Sequence, residues 1–303
     1  MAAASDQDSV TIVMATHNGA AHLAEQLDSI ARQSHTAWRL FVSDDSSTDD
    51  TRAILADFAR HHPVTVVDGP HRGAATNFLS AILHPDLPRG TVALADQDDI
   101  WLPGKLARGL RRMAPAEDWP VLYAAESALA DARGRPFRLS NPGRARPSFA
   151  ASLAQNLFGG HTTMFNAATL DLLREAGMPK GIAFHDWWIY QLVAGHGGRQ
   201  VLDPSPMALY RQHSGNVIGS SGFGARLSRV LQGRWRTEMQ GHAQALASVA
   251  GLLTPQAQVT LSAFLSAPPS GFARIETFRR LGLRRSSTRG DILMLGAAFA
   301  GLL

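Results

Sequence analysis

Cysteine is absent from the 303 residues. No disulfide framework and no thiolate metal site can be built, which fits a reducing compartment. The opening MAAASDQDSV has no basic stretch followed by an apolar core, so no signal peptide is expected. The longest apolar run, Ile292 to Leu303, falls short of the roughly 20 residues a spanning helix needs. A phosphate loop of the GxxxxGK-Ser/Thr type is missing, and so is a GxGxxG fingerprint. Both absences argue against an ATPase or a nicotinamide enzyme. There is no internal repeat and no low-complexity tract.

What is present is ample apolar content and an uneven charge. Hydrophobic residues make up 45% of the chain, enough for a sizeable core and against global disorder. The net charge of +4 hides a division: Arg211 to Leu303 carries eleven Arg, no Lys and three acids, for a net +8, which leaves −4 on residues 1 to 210. An acidic body suits cations or metal-bound anions. A basic tail suits a polyanionic surface such as a membrane. The arginine clusters lack interleaved aromatics for base stacking, so nucleic acid is not expected as a partner.

The first third alternates strand and helix patterns. Val10 to Ala15, Trp38 to Val42, Val64 to Val67 and Thr91 to Ala95 read as strands. Ala20 to Arg32, Thr48 to Arg60 (with Thr48 as N-cap), Ala74 to Leu83 and Pro103 to Met113 read as helices. Such alternation predicts right-handed crossovers and a mostly parallel sheet, with ligands beyond the carboxyl ends of the strands. Residues 131 to 148, rich in Arg, Gly and Pro, read as a surface flap, and Thr162 to Phe165 as another strand. Beyond about residue 222 the pattern is helical and basic.

Polar clusters follow the predicted strands. Thr16-His17-Asn18-Gly19 follows the first, Ser43-Asp44-Asp45-Ser46-Ser47 the second, and Asp96-Gln97-Asp98-Asp99 the fourth. Taken singly, such clusters are turns and caps. Taken together, they converge on one sheet edge. Carboxylates crowded at a strand end repel one another, and a divalent cation relieves that cost. Mg²⁺ characteristically combines one or two carboxylates with substrate phosphates, so a metal–diphosphate suits the acids better than a bare ion.

The stretches "TIVMATHNGAAHLAEQLDSI", "LFVSDDSSTDDT" and "ALADQDDIWLPGKL" together resemble the family 2 glycosyltransferases, which share the GT-A fold. "FHDWW" and "YRQHSGNVIG" bring the resemblance nearest to the rhamnosyltransferase-like branch. It spans about Val10 to Gly219. It implies an α/β fold of GT-A type, with a mostly parallel nucleotide-binding sheet flanked by helices and a C-terminal helical extension. Residues 1–9 would be a flexible N-terminus, 10–219 the transferase domain and 220–303 the basic extension.

The resemblance also implies roles. Thr16, His17 and Asn18 match the loop that contacts the base, and Asp44 and Asp45 the pair that holds base and ribose. Asp96 and Asp98 match the ends of the DxD metal motif, with Mg²⁺ or Mn²⁺ as cofactor and Asp99 near the donor sugar or metal. Asp186 matches the general base of inverting members, with His185 beside it. His213 lies where some relatives place a metal or phosphate contact. Arg72 and Asn77 are further candidates for the donor and its phosphates. Two departures stand out: the family's DDGS is Asp44-Asp45-Ser46-Ser47 here, and its ED is His185-Asp186.

Structural readings compete with several of these. Trp187 and Trp188 fit either a core or acceptor-sugar stacking, Asp186 fits a helix N-cap as well as a base, and His213 fits a supporting role. Trp101 is expected to pack beneath the acid loop. The resulting expectation is an inverting, metal-dependent transfer of a sugar, L-rhamnose being the one inherited from the look-alikes. The donor would be a dTDP- or UDP-sugar and the acceptor a saccharide or lipid-linked hydroxyl in cell-surface polysaccharide synthesis. The protein would be cytoplasmic, with a place at the inner membrane face. The rival readings are a sugar nucleotidyltransferase, a metal-dependent phosphohydrolase and a catalytically silent nucleotide-sugar-binding protein.

Overall fold

The computed structural model describes residues 9–115, 118–139, 146–213 and 223–303. One mixed sheet of nine strands organises the first part of the chain. Its parallel half is β1 (Val10–Thr16), β2 (Trp38–Asp44), β3 (Val64–Asp68) and β4 (Thr91–Ala95), in the spatial order β3-β2-β1-β4. The order follows from short right-handed crossovers through α1 (Ala20–Ala31), α2 (Thr51–Phe58) and α3 (Ala74–Ile82). β1 and β4 are buried on both faces, hence their unbroken apolar runs. Ile12 and Met14 of β1 and Leu40 and Val42 of β2 share a core with Leu23, Leu27 and Ile30 of α1. On the other face α3 packs on β1 and β2 and buries Phe78, Leu79 and Ile82.

The antiparallel half is assembled from distant segments. β8 (Thr163–Phe165) pairs with β4, and β6 (Val121–Ala130) pairs with β8. β9 (Arg199–Arg211) lies next to β6, β5 (Ile100–Trp101) pairs with β9, and β7 (Pro136–Leu139) pairs with β6. α4 (Lys105–Met113) follows β5 and packs on β6. The register sets the functional edge. Thr16 lies opposite Asp44, Asp44 opposite Asp68, and Met14 opposite Ala95. The polar clusters therefore leave the sheet side by side.

The chain divides into two compact units that interleave along the sequence. One comprises Met1–Asn141, Phe158–Met178 and Val201–Asn216, the other Pro142–Leu157, Pro179–Gln200 and Val217–Leu303. The second unit is helical. It contains α5 (Phe149–Ala154), α7 (His185–Gly195), α8 (Phe223–Leu231), α9 (Arg234–Ser248), α10 (Pro255–Leu265), α11 (Gly271–Arg280) and α12 (Thr288–Phe299). α6 (Ala167–Ala176) belongs to the first.

Two local expectations are corrected. α2 starts at Thr51, with Asp50 at its N-cap, because the Thr48 amide is taken by Asn18 Oδ1 (2.8 Å) in a loop that closes on β1. The helical, basic pattern beyond about residue 222 is interrupted early: Gly233, at φ +68°, separates α8 from α9. Part of the 131–148 segment is strand β7. Residues 140–145 of that segment, Ser214–Gly219 of the YRQH motif and 1–8 of the predicted N-terminal tail lie outside the described residues. No helix among the described residues is long and apolar enough to cross a membrane.

Candidate active site

β4 ends at Ala95, and the next residues turn inward. Asp99 is wholly buried, its Oδ1 accepting from the Arg211 amide (3.2 Å) while its Oδ2 has no hydrogen-bond partner. Asp96 is half-buried. His161, on the tight turn Gly160–Thr162 just before β8, arrives beside them because β8 pairs with β4. One potential ligand atom from each of Asp96, Asp99 and His161 lies within 4.8 Å of the others. Burial, then repulsion from Asp96 and Asp98, raises the Asp99 pKa well above the ordinary carboxylate range. Burial, followed by the charge of Lys105, lowers that of His161 to about 3, so the ring stays neutral. Its Nε2 is 2.9 Å from Ser127 Oγ and its face stacks on Tyr210, centroids 4.6 Å apart.

Lys105 completes this cluster. Its ammonium donates to the His161 carbonyl (2.5 Å) and lies 3.7 Å over the Trp101 ring. Burial lowers its pKa to about 7, although Asp99 and Asp96 pull the other way. Trp101 is buried. A buried, unpartnered carboxylate oxygen beside a second carboxylate and a neutral imidazole is a donor set that fits Mg²⁺ or Mn²⁺.

Asp98 points elsewhere: its Oδ2 meets His213 Nε2 at 2.8 Å, and His213 in turn lies against His22 of α1, centroids 5.0 Å apart. The two metal candidates Asp98 and His213 thus come together, while the three-residue group is Asp96, Asp99 and His161. Arg211 underpins the whole loop. It is 2% exposed and donates to the Asp98 carbonyl (2.9 Å), the Ala132 carbonyl (2.7 Å) and Glu25 Oε2 (2.6 Å).

At the nucleotide side, Asp44 is entirely buried and accepts from Thr16 Oγ1 (2.7 Å), Ser47 Oγ (2.6 Å) and Arg52 Nε (2.7 Å). Burial alone would raise its pKa; the bonds from Ser47, Arg52 and Thr16 outweigh that and lower it. Asp45 accepts from the amides of His71 (2.5 Å) and Gly73 (3.1 Å), drawing the loop that carries the exposed Arg72 over it. Ser46 stands where the family has glycine and takes φ +64°, a conformation that costs an L-residue about 1 kcal/mol; its hydroxyl contacts the His71 ring (2.6 Å). His17 is gripped by Gln97, whose Oε1 accepts from the His17 amide (2.9 Å) and whose Nε2 donates to its carbonyl (3.0 Å). His17 Nδ1 donates to the Asp45 carbonyl (2.7 Å). Asn18, at φ +48°, accepts from Thr48. Asn77 needs correction as a donor contact: it is buried and spends its amide on Ser43, accepting from Oγ (2.5 Å) and donating to the carbonyl (2.9 Å).

The remaining candidates sit on α7, in the second unit. Asp186 lies in the first turn, not at the cap, which is Phe184; its Oδ1 accepts from the Trp187 amide (2.7 Å). His185 is buried, and burial lowers its pKa despite Asp186. Trp187 and Trp188 are 4% and 1% exposed, so the stacking expectation gives way to the core one. The Trp187 indole donates to the Ser152 carbonyl (2.6 Å) and its ring lies 4.5 Å from His242.

A model of the family described as "Glycosyl transferase family 2" matches residues 11–166, half of the chain. The protein belongs to this family. Among curated relatives of this family 2 glycosyltransferase, the dTDP-rhamnosyl transferase RfbG of Shigella flexneri is 28% identical over 77% of this chain and 84% of its own. Its fold matches that of the mannosyltransferase PcManGT from Pyrobaculum calidifontis, solved with GDP-Man and Mn²⁺: TM-score 0.55, 22% identity, over 96% of this chain and 80% of that one. S. aureus TarS 1-349 with UDP-GlcNAc gives TM-score 0.55 at 17% identity, over 97% and 88% of the two chains. The GT-A architecture and a glycosyltransferase acting on a nucleotide sugar follow. In this glycosyltransferase, His161, Lys105, Gln97 and Arg211 are site residues that sequence reasoning does not single out. The pair Gly159-Gly160 before His161 is the one local signal, a backbone set to turn sharply.

Proposed function

We propose that this glycosyltransferase uses Mg²⁺ or Mn²⁺, held by Asp96, Asp99 and His161 with Asp98 and His213 adjoining, and inverts the anomeric centre of its donor. The supporting observation is the unpartnered Oδ2 of Asp99, wholly buried beside Asp96 and a neutral His161. Thr16, His17, Asn18, Asp44, Asp45 and Arg72 form or carry the nucleotide side; Asp44 acts by shaping the loop. Lys105 holds His161 through its carbonyl and offsets the carboxylate charge. When bound, the ion supplies Lewis-acid stabilisation of the departing diphosphate. Asp186, in the first turn of α7, takes the acceptor hydroxyl proton as that oxygen attacks the anomeric carbon from the face opposite the diphosphate.

The likeness to a dTDP-rhamnosyl transferase makes dTDP-L-rhamnose the donor to test first, with a saccharide or lipid-linked acceptor of surface polysaccharide synthesis. The test is thermal shift with dTDP, UDP and GDP, with and without Mn²⁺, followed by nucleotide release and NMR of the product linkage. Mn²⁺-dependent stabilisation and an inverted product are expected. Nucleotide binding indifferent to metal would defeat the metal assignment, and binding without turnover of any donor would make the protein a silent binder.

A further inference from the structure

The basic tail resolves into arginines that the fold uses and arginines that it does not. Arg229 pairs with Glu238 (2.7 Å), and Arg285 lies 4.3 Å over the Trp235 ring and donates to the Ala154 carbonyl (2.6 Å). Arg274 is buried and donates to the carbonyls of Pro268 (2.6 Å) and Leu303 (2.8 Å). Arg279, Arg280, Arg284 and Arg289 are exposed, and their side chains form no hydrogen bond or ion pair with another described residue.

Three of these share outer helix faces with apolar side chains, and Arg284 lies in the connection between those helices. α11 and α12 pack as an antiparallel hairpin: the Leu303 carbonyl reaches Arg274, Gly301 lies against Ser270, and the rings of Phe272 and Phe299 meet at 5.0 Å. At helical spacing, Phe272, Glu276 and Arg279/Arg280 form the outer stripe of α11, and Arg289, Ile292 and Phe299 that of α12. Phe272 is 79% exposed, Ile292 67% and Phe299 47%. The two phenylalanines touch each other and still face outward, which hydration disfavours. One end of the hairpin is thus aromatic and the other cationic, with Glu276 the one acid on the outer stripes.

We propose that the outer face of the α11–α12 hairpin docks on an anionic lipid surface. Phe272, Phe299 and Ile292 enter the boundary between headgroups and acyl chains, and the four arginines meet lipid phosphates. Charge complementarity selects this occupant. A second copy joined through the same face would offer the arginines one acid on its outer stripes, Glu276, against four cations of its own. Nucleic acid would leave the aliphatic Ile292 and the mutually engaged phenylalanines without a counterpart. The proposal goes beyond the transferase reading and does not need it, since binding is measured without nucleotide.

The full chain is floated with vesicles of phosphatidylcholine alone and with phosphatidylglycerol added. Association with the anionic vesicles only is expected, weakening as salt rises. Arg279→Gln/Arg280→Gln should lower the partition coefficient roughly 30-fold, and Phe272→Ser/Phe299→Ser by at least about tenfold, both with unchanged circular dichroism and melting temperature. Equal association with neutral vesicles, or anionic binding untouched by either double variant, would overturn the proposal. So would binding of nucleic acid without binding of vesicles, or a concentration-dependent doubling of mass abolished by the phenylalanine variant.

Discussion

Asp99 carries an oxygen that meets no donor in the interior, and two things relieve it: a proton or a cation. Its folded pKa is raised, so in metal-free protein its stabilising share is complete below the ordinary value near 3.8 and is lost as pH rises through the raised one. Lys105, at about 7, keeps its proton in folded and unfolded chains across the acid range and adds little slope there. The neutral, buried His161 and His242, both lowered to about 3, oppose this by destabilising the fold as pH falls below their ordinary value of 6.5, so the Asp99 share is read as the difference between metal-free wild type and Asp99→Asn from about pH 7 towards pH 5. Asp99→Asn should lose more stability than the wild type over that range and should abolish Mn²⁺-dependent stabilisation, both followed by urea denaturation; a variant that still binds Mn²⁺ as the wild type does would refute the assignment. Arg211 is the other residue of consequence. Arg211→Met strands the Asp98 and Ala132 carbonyls and should cost about 2 kcal/mol. Because the acid loop loses its brace, Mn²⁺ affinity should fall about 10- to 100-fold, measured by electron spin resonance of free Mn²⁺. Loss of stability with unaltered affinity would leave Arg211 a structural residue only. The acids were legible in the sequence because carboxylates crowded after an apolar strand are costly unless a cation joins them. His161 and Arg211 were not, because each acquires its meaning from a strand pairing that no local pattern encodes.

At the scale of elements, the loops after β1 and β4 are one device. Gln97 grips both backbone groups of His17, and the grip requires Gly19: a Cβ there would lie 2.3 Å from Gln97 Oε1. Gly19→Ala should push Gln97 off His17 and loosen the nucleotide loop, weakening dTDP or UDP binding. Gln97→Ala should also weaken it. The double variant should be no worse than either single, because each change removes the same contact; the coupling in binding free energy should reach about 1 kcal/mol or more. Additive losses, read by calorimetric titration, would mean that the two positions act separately. The parallel strands themselves were readable from apolar runs, since both faces are covered. Helix starts and breaks were less so. Thr48 has the chemistry of a cap, but Asn18, thirty positions upstream, claims its amide; Gly233 sets its helix break inside a stretch that reads as helical and basic throughout.

Across the whole molecule, the candidate residues divide between the units: the acids and His161 lie in the sheet unit, and Asp186 in the helical one. That division was not readable from the chain. The antiparallel strands β6, β8 and β9 come from segments far apart in sequence, and the helical unit takes in residues between and after them. It yields a clean separation of roles nonetheless. In Asp186→Asn the amide oxygen can still accept from the Trp187 amide, so α7 keeps its first turn. With donor binding proposed for the sheet unit, the variant should retain Mn²⁺- and nucleotide-dependent thermal stabilisation in full. What it cannot do is take a proton. Transfer to the acceptor should fall by about 10²- to 10⁴-fold, whereas Asp99→Asn should lose binding and transfer together. A variant at Asp186 that transfers sugar near the wild-type rate would remove it from the role of base, and one that also loses donor binding would make it a donor contact instead.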